Sequence, residues 1–177
     1  RLEPIKVVHV TDGVELNNKT NEVEAQAIVD QIRKCLVEPR YDGATMGVIS
    51  LLGKEQARLI EHKLLDVVPP EEWSARELRC GDASDFQGSE RDVIFLSMVK
   101  APTEDKRLSA LTADTYVQRF NVAASRAKDQ MWVYHSMPRE ALVNTEDMRS
   151  QLLDYCYGSV SRSRTESDTS VAGPVSE

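Results

Sequence analysis

The sequence predicts an α/β domain with a mainly parallel sheet covered by helices on both faces, and three observations carry that prediction. Short β-branched segments alternate along the chain with segments of helical periodicity. One segment, DVIFLSMV (92–99), is nearly continuous in apolar residues, which suits a central strand buried on both sides. Turn clusters such as PRYDGAT (39–45) and Pro69-Pro70 fall between the segments rather than inside them.

The elements follow in order. PIKVVHV (4–10) is short and β-branched, a strand. From Asn21 to Leu36, Val23, Ala27, Ile28, Ile32, Cys35 and Leu36 recur at helical spacing. Asn21 suits the N-cap, and Glu22 and Glu24 sit in the first turn where they oppose the dipole. MGVIS (46–50) reads as a buried strand. A helix from Gly53 to about Val67 places Ala57, Ile60 and Leu64 on one face until the two prolines stop it. ELRCGD (77–82) is a further strand before DVIFLSMV, and residues 101–113 read as a surface loop. A helix over Asp114–Lys128 turns Val117, Phe120, Ala124 and Ala127 inward, and QMWVYHS (130–136) is the last strand. A helix near Glu146–Cys156 closes a body expected to span 1–157. Residues 158–177 are Ser-rich, lack aromatic side chains and are expected to be disordered. In a parallel sheet, ligands gather beyond the carboxyl ends of strands, here after Ser50, Cys80, Val99 and Ser136.

Composition narrows the function. At 177 residues the chain can bury a sizeable core. The net charge of -7 provides no basic footprint, so nucleic-acid contact would need a local groove. No apolar run approaches the roughly 18 residues of a membrane span, so no membrane partner is expected. Cys35, Cys80 and Cys156 are widely spaced and lack a CxxC pair, which suits a reducing cytoplasm and argues against zinc or disulfides. No metal site is expected from His9, His62 and His135, which are far apart in sequence. Arg1 opens the chain without an initiator Met, which suggests a piece of a longer protein.

GVISLLGKEQ (47–56) imitates a phosphate-binding loop and fails its chemistry. Five residues rather than four separate Gly47 from Gly53, and Lys54 is followed by Glu55 where a magnesium-binding hydroxyl is required. That carboxylate would repel phosphates. Chemistry concentrates instead in GDASDFQGSERDVIFLS (81–97) and QRFNVAASRAKDQMWVY (118–134). In the first, Gln87 and Glu90 flank Gly88, whose backbone can bend closely around a ligand; a solvated turn explains the same residues. In the second, Arg119 and Arg126 are seven apart and share a face of the predicted helix. With Ser125 they could line a phosphate site, although Arg126 and Lys128 also suit a helix C-terminus.

Together the two stretches resemble motifs V and VI of superfamily 1 helicases, in the group related to the nonsense-mediated-decay RNA helicase and its bacterial relatives. Phe86-Gln87-Gly88-Ser89-Glu90-Arg91-Asp92 matches the FQGxExD pattern, and Arg119 to Lys128 matches RxNVAxTRAK with Ser125 at the usual Thr. MGVISLLGKEQARLI is similar to motif IV, with Leu52 where many relatives carry an aromatic, and Asn21 to Ile28 resembles the N-x-x-E-A helix before it. The resemblance covers residues 1–140 or so and implies the second RecA-like domain of such a helicase, a three-layer α/β/α fold. It implies ATP hydrolysis, with ATP and Mg²⁺ bound mainly by a first RecA-like domain of the same polypeptide, and single-stranded DNA or RNA crossing both domains. Arg126 is then the arginine finger with Arg119 beside it, and Gln87, Gly88 and Glu90 face ATP. Ser50, Gln56, Ser84 and Asp85 are expected at the nucleic-acid groove. Residues 1–177 alone are expected to be inactive. Two rival readings stand beside this one: a Mg²⁺-dependent nuclease using Asp82, Asp85, Glu90 and Asp92, and a helicase-like scaffold without motor activity.

Overall fold

The structure, a computed structural model, describes residues 2–16, 18–101, 113–138 and 151–160, of which 113–116 are described by backbone alone. The described residues contain strands β1 (Ile5–His9), β2 (Met46–Ser50), β3 (Arg79–Asp82), β4 (Arg91–Ser97) and β5 (Ala127–His135). Helices are α1 (Glu22–Val37), α2 (Lys54–Val67), α3 (Pro70–Ala75) and α4 (Ala113–Ala124). The five strands form one parallel sheet in the order β1-β5-β4-β2-β3. All strand N-termini therefore lie along one edge and all C-termini along the other.

Alternation along β4 builds two cores. Val93 and Phe95 pack with Ile28, Ile32, Ile60 and Leu64 of α1 and α2, while Ile94 and Leu96 pack with Phe120 and Ala123 of α4 and with Phe86. The apolar run in DVIFLSMV thus serves both faces, as a central parallel strand must. The α/β expectation of a parallel sheet between helical layers holds.

Several boundaries differ from the sequence reading. Asn21 caps α1 as expected, its side chain accepting the Glu24 N–H. The buried stripe, however, runs through Glu24, Ala25, Ile28, Val29, Ile32 and Cys35, and Val23 is exposed. Pro69 and Pro70 do end α2, but Pro70 also opens the short helix α3, because its fixed φ suits a first helical turn. The helix predicted to reach Lys128 stops at Ala124. Ser125 Oγ bonds back to the Val122 carbonyl at 2.7 Å, and the Arg126 N–H reaches only to Ala123 at 3.0 Å, a tightened final turn. The strand that follows begins at Ala127 rather than Gln130. Residues 151–160 are helical, with Leu153 and Cys156 in the second core. Helix therefore runs three residues past the boundary expected at 157. The predicted loop at 102–112, the start of the closing helix at 146–150 and residues 161–177 lie outside the described residues. Among the described residues no helix is long and apolar enough to cross a membrane.

Candidate functional site

The FQG stretch is a crossover that carries the chain from the C-terminal edge at Asp82 back to the N-terminal edge at Arg91. It begins with a reciprocal turn. Asp82 Oδ1 accepts Ser84 Oγ at 2.6 Å and the Asp85 N–H at 3.0 Å, while Asp85 Oδ2 accepts the Asp82 N–H at 3.0 Å. That backbone donor, helped by Lys54 Nζ at 3.1 Å, holds the Asp85 carboxyl below the usual carboxylate range. A 3₁₀ turn over Ser84–Phe86 then drops the Phe86 ring into the core. The ring lies over Gly47, where an added Cβ would stand 2.7 Å from Phe86 Cε1 and 2.9 Å from Ile94 Cδ1. The glycine of the false phosphate loop is a floor for Phe86. Gly88, with φ at +75°, supplies the left-handed bend that releases the chain towards Glu90.

At the N-terminal edge the two motifs meet. The Arg91 N–H donates to the Arg126 carbonyl at 3.0 Å, and Arg91 pairs in register with Ala127. Exposed Glu90 and half-buried Arg126 thus flank one junction. Arg126 Nε is buried without a hydrogen-bond partner among the described residues. The register between β4 and β5 shifts just beyond, between Arg91 and Val93, an irregularity of the kind that re-aims side chains. On the α1 side of this edge, Lys128, Arg40, Asp42, Asp92 and Asp129 border a cleft of about 600 Å³.

Arg119 does not join this junction. Its Nη1 donates to the Leu51 carbonyl at 3.2 Å, just past the C-terminal end of β2. The shared helical face expected of Arg119 and Arg126 is absent because the helix ends before Arg126.

The C-terminal edge gathers Ser50, Ser84, Asp85 and Gln56, but not as one exposed groove. Gln56 is fully buried; its Oε1 accepts the Asn21 N–H at 2.9 Å, and its Nε2 donates to the Asn21 carbonyl at 3.0 Å and Ser97 Oγ at 3.2 Å. Ser50 is also buried, its hydroxyl accepting the Leu52 N–H at 3.4 Å. Neither side chain is exposed at this edge, and both brace it from beneath. Ser84 is exposed and Asp85 half-buried.

The carboxylates of the nuclease reading are split between the edges. Asp82 and Asp85 bond one another at one, Glu90 projects at the other, and Asp92 is tied to the Thr45 N–H at 2.8 Å. Among the described residues no group of three or more His, Cys, Asp or Glu could hold a metal ion. Burial pushes the thiols of Cys80 and Cys156 up, the latter to about 12, so neither is a ready nucleophile. His135 is fully buried and stacks on His9 with centroids 4.7 Å apart.

Sequence reasoning named Glu24 but missed its role: its carboxyl is fully buried and bonded to Ser97, Val99, Ser136 and Asn21. Its place among helix-dipole residues hid it; the signal was its position between Asn21 and Ile28 on the stripe that faces the sheet. Arg91 was missed as well.

The chain is similar to known proteins in sequence. A family model described as an AAA domain matches residues 2–137. Over 81 residues the chain is 32% identical to the Drosophila melanogaster protein named "Probable RNA helicase armi", covering 44% of this chain. The chain spans 7% of that relative's length. A solved structure titled as the C-terminal domain of a possible DNA helicase from Lactobacillus plantarum WCFS1 covers 77% of this chain and 74% of its own, at 13% identity and a TM-score of 0.46.

Proposed function

Since the chain belongs to the AAA domain family, we propose that it works as the second RecA-like domain of an ATP-dependent DNA or RNA helicase or translocase. The observation that carries this reading is the 3.0 Å bond from the Arg91 N–H to the Arg126 carbonyl, which sets Glu90 and Arg126 side by side on one sheet edge. A first RecA-like domain, holding the triphosphate and Mg²⁺, would dock there. Arg126 fits an anion: its Nε lacks a partner among the described residues, and its planar fork matches two phosphate oxygens.

In this reading Arg126 adds positive charge as water attacks the γ-phosphate, and Glu90 contacts the ribose. Gln87 and Gly88 lie on the crossover between the edges and link the ATP cleft to the nucleic-acid groove. Ser84 and Asp85 face that groove at the opposite edge, with Ser50 and Gln56 supporting them. Arg119, bonded to Leu51, belongs with the groove loops rather than with ATP. Free thiols at Cys35, Cys80 and Cys156 suit a cytoplasmic setting.

The test uses the full-length polypeptide with both RecA-like domains. ATP hydrolysis stimulated by single-stranded DNA or RNA, with ATP-dependent displacement of a labelled strand, is expected. A folded full-length protein that binds nucleic acid but turns over no ATP would replace the motor with the scaffold.

A further inference from the structure

We infer that Arg91 is a positioning residue of the nucleotide site, locking Glu90 and the Arg126 turn into one unit; this rests on the reading of the edge proposed above. Arg91 fills an unspecified place in the FQGxExD pattern, yet it makes four distinct contacts. Its N–H donates to the Arg126 carbonyl at 3.0 Å. Its Nη1 donates to the Glu90 carbonyl and its Nε to the Glu77 carbonyl, both at 2.8 Å. Its Cζ lies 5.9 Å from the centroid of the Phe86 ring, and Arg79 lies 5.4 Å from the same ring.

Each contact constrains a different element. Phe86 is fixed by the core and by Gly47 beneath it, so the ring is a rigid support for the guanidinium. Glu77, at φ +46°, holds a backbone conformation rare for a residue with a side chain. Its carbonyl receives one arm of the fork. The other arm pins the peptide from which the Glu90 side chain emerges. The backbone N–H pins the turn from which Arg126 emerges. An ammonium group could keep the charge, but it lacks a planar fork that bonds two carbonyls while stacking on a ring. With Nε and Nη1 engaged on carbonyls, the Arg91 side chain acts through Glu90, while the backbone bond to Arg126 keeps Glu90 beside that turn.

The test measures ribose recognition in the full-length polypeptide. KM and kcat are compared for ATP and for its 2′-deoxy and 3′-deoxy forms in the wild type, Glu90→Gln, Arg91→Lys and the double variant. Glu90→Gln should lose about tenfold of the preference for intact ribose, the worth of one charge-assisted hydrogen bond. Arg91→Lys should lose the same preference through KM, with a melting temperature within about two degrees of wild type. The double variant should lose no more than either single change, because both act on one contact. If Glu90→Gln loses the preference and folded Arg91→Lys keeps it, the positioning role is wrong while the site stands. Additive losses would likewise separate Arg91 from Glu90 and overturn it. If Glu90→Gln keeps the preference, the ribose assignment falls and the inference with it.

Discussion

The buried carboxylate of Glu24 accepts the backbone N–H of Val99 at 2.9 Å, and Val99 holds φ at +64°. That left-handed conformation is a genuine outlier for a β-branched residue. The Lys100 N–H closes back onto the Met98 carbonyl at 2.7 Å, making a tight three-residue turn around Val99. Glu24 Oε1 also accepts Ser97 Oγ at 2.7 Å, and its Oε2 accepts Ser136 Oγ at 2.7 Å and Asn21 Nδ2 at 3.1 Å. Asn21 Nδ2 in turn reaches the Val99 carbonyl at 3.0 Å. One carboxylate and one amide thus fasten the ends of β4 and β5 to the start of α1, and they stabilise the strained turn.

Glu24→Gln keeps the shape and reverses half of the chemistry. An amide would turn an NH₂ towards groups that already donate, leaving buried donors unpaired. A loss of about 2–4 kcal/mol is expected, since each unsatisfied buried group costs roughly 1–3 kcal/mol. Urea melts of the two proteins measure it. Equal midpoints would mean that the network does not hold the edge together.

The same residue sets a pH dependence that His135 opposes. Burial lifts the folded Glu24 carboxyl to about 7 from an ordinary value of 4.5, against the lowering effect of its hydrogen bonds. Between these values the folded state binds the extra proton, so this group's contribution to stability falls as pH rises and is flat above. Burial, with His9 adding to it, lowers His135 to about 4 from 6.5. There the unfolded state binds the extra proton, so the His135 contribution rises with pH up to 6.5 and is lost on acidification. The two slopes, each at most about 1.4 kcal/mol per pH unit, largely cancel where they overlap. Subtracting the stability curve of Glu24→Gln from that of the wild type should leave a line falling with pH between 4.5 and 7. His135→Phe should leave one rising with pH between 4 and 6.5. Flat difference curves would remove both groups from the balance.

The strands and the burial of the sheet on both faces were largely legible because a central parallel strand leaves the plain signal of DVIFLSMV, and prolines and glycines mark the breaks; the strand order was not. Glu24 was not legible as a core residue, because a carboxylate in a first helical turn ordinarily serves the dipole. Only the return of Ser97, Val99 and Ser136 to the same point in space gives it three of its four donors, and sequence separation conceals that. The end of α4 was misplaced for a related reason. Ala123, Ala124 and Ala127 continue the helical pattern, while the capture of the Arg126 carbonyl by Arg91 pulls the chain into the sheet. Glu90 and Arg126 were legible as types, and their junction at one edge was implied only by resemblance. Gln56 was legible as important but not as buried.

Gly47 carries a prediction that separates a floor from a phosphate loop. Its φ is not left-handed, so Gly47→Ala is permitted by the backbone but places a methyl carbon 2.7 Å from Phe86 Cε1. Overpacking of this kind typically costs about 1–3 kcal/mol. Because Phe86 anchors the crossover that carries Glu90, ATP turnover of the full-length protein should fall along with the melting temperature. A variant as stable as wild type would show that Phe86 has room to move.

Residues 1–177 alone are expected to hydrolyse no ATP. The sequence offers no working phosphate loop, since Glu55 follows Lys54, and Arg126 would then have no triphosphate to meet. Purified 1–177 should show only background phosphate release with or without single-stranded DNA or RNA. Turnover that scales with protein concentration and survives repurification would mean that the chain holds a complete site.

Arg126 gives the sharpest prediction because its side chain and backbone have separable duties. The carbonyl holds the Arg91 N–H, a role any residue can fill, whereas Nε of the guanidinium has no partner among the described residues. Removing the side chain should therefore cost the fold little. In hydrolysis the same group is expected to bond phosphate oxygens as charge shifts during cleavage, so it favours the transition state over bound ATP. Arginine fingers in phosphoryl transfer are worth roughly 10³–10⁵ in rate. Arg126→Ala in the full-length protein should lower kcat by at least about a hundredfold while ATP affinity changes much less. Arg126→Lys should recover little of this, since an ammonium lacks the planar fork. A cation that merely serves the end of α4 would instead cost about 0.3–1 kcal/mol of stability and leave turnover intact. Measuring kcat, ATP affinity and melting temperature for both variants separates these outcomes, and near-normal turnover in Arg126→Ala would sink the finger.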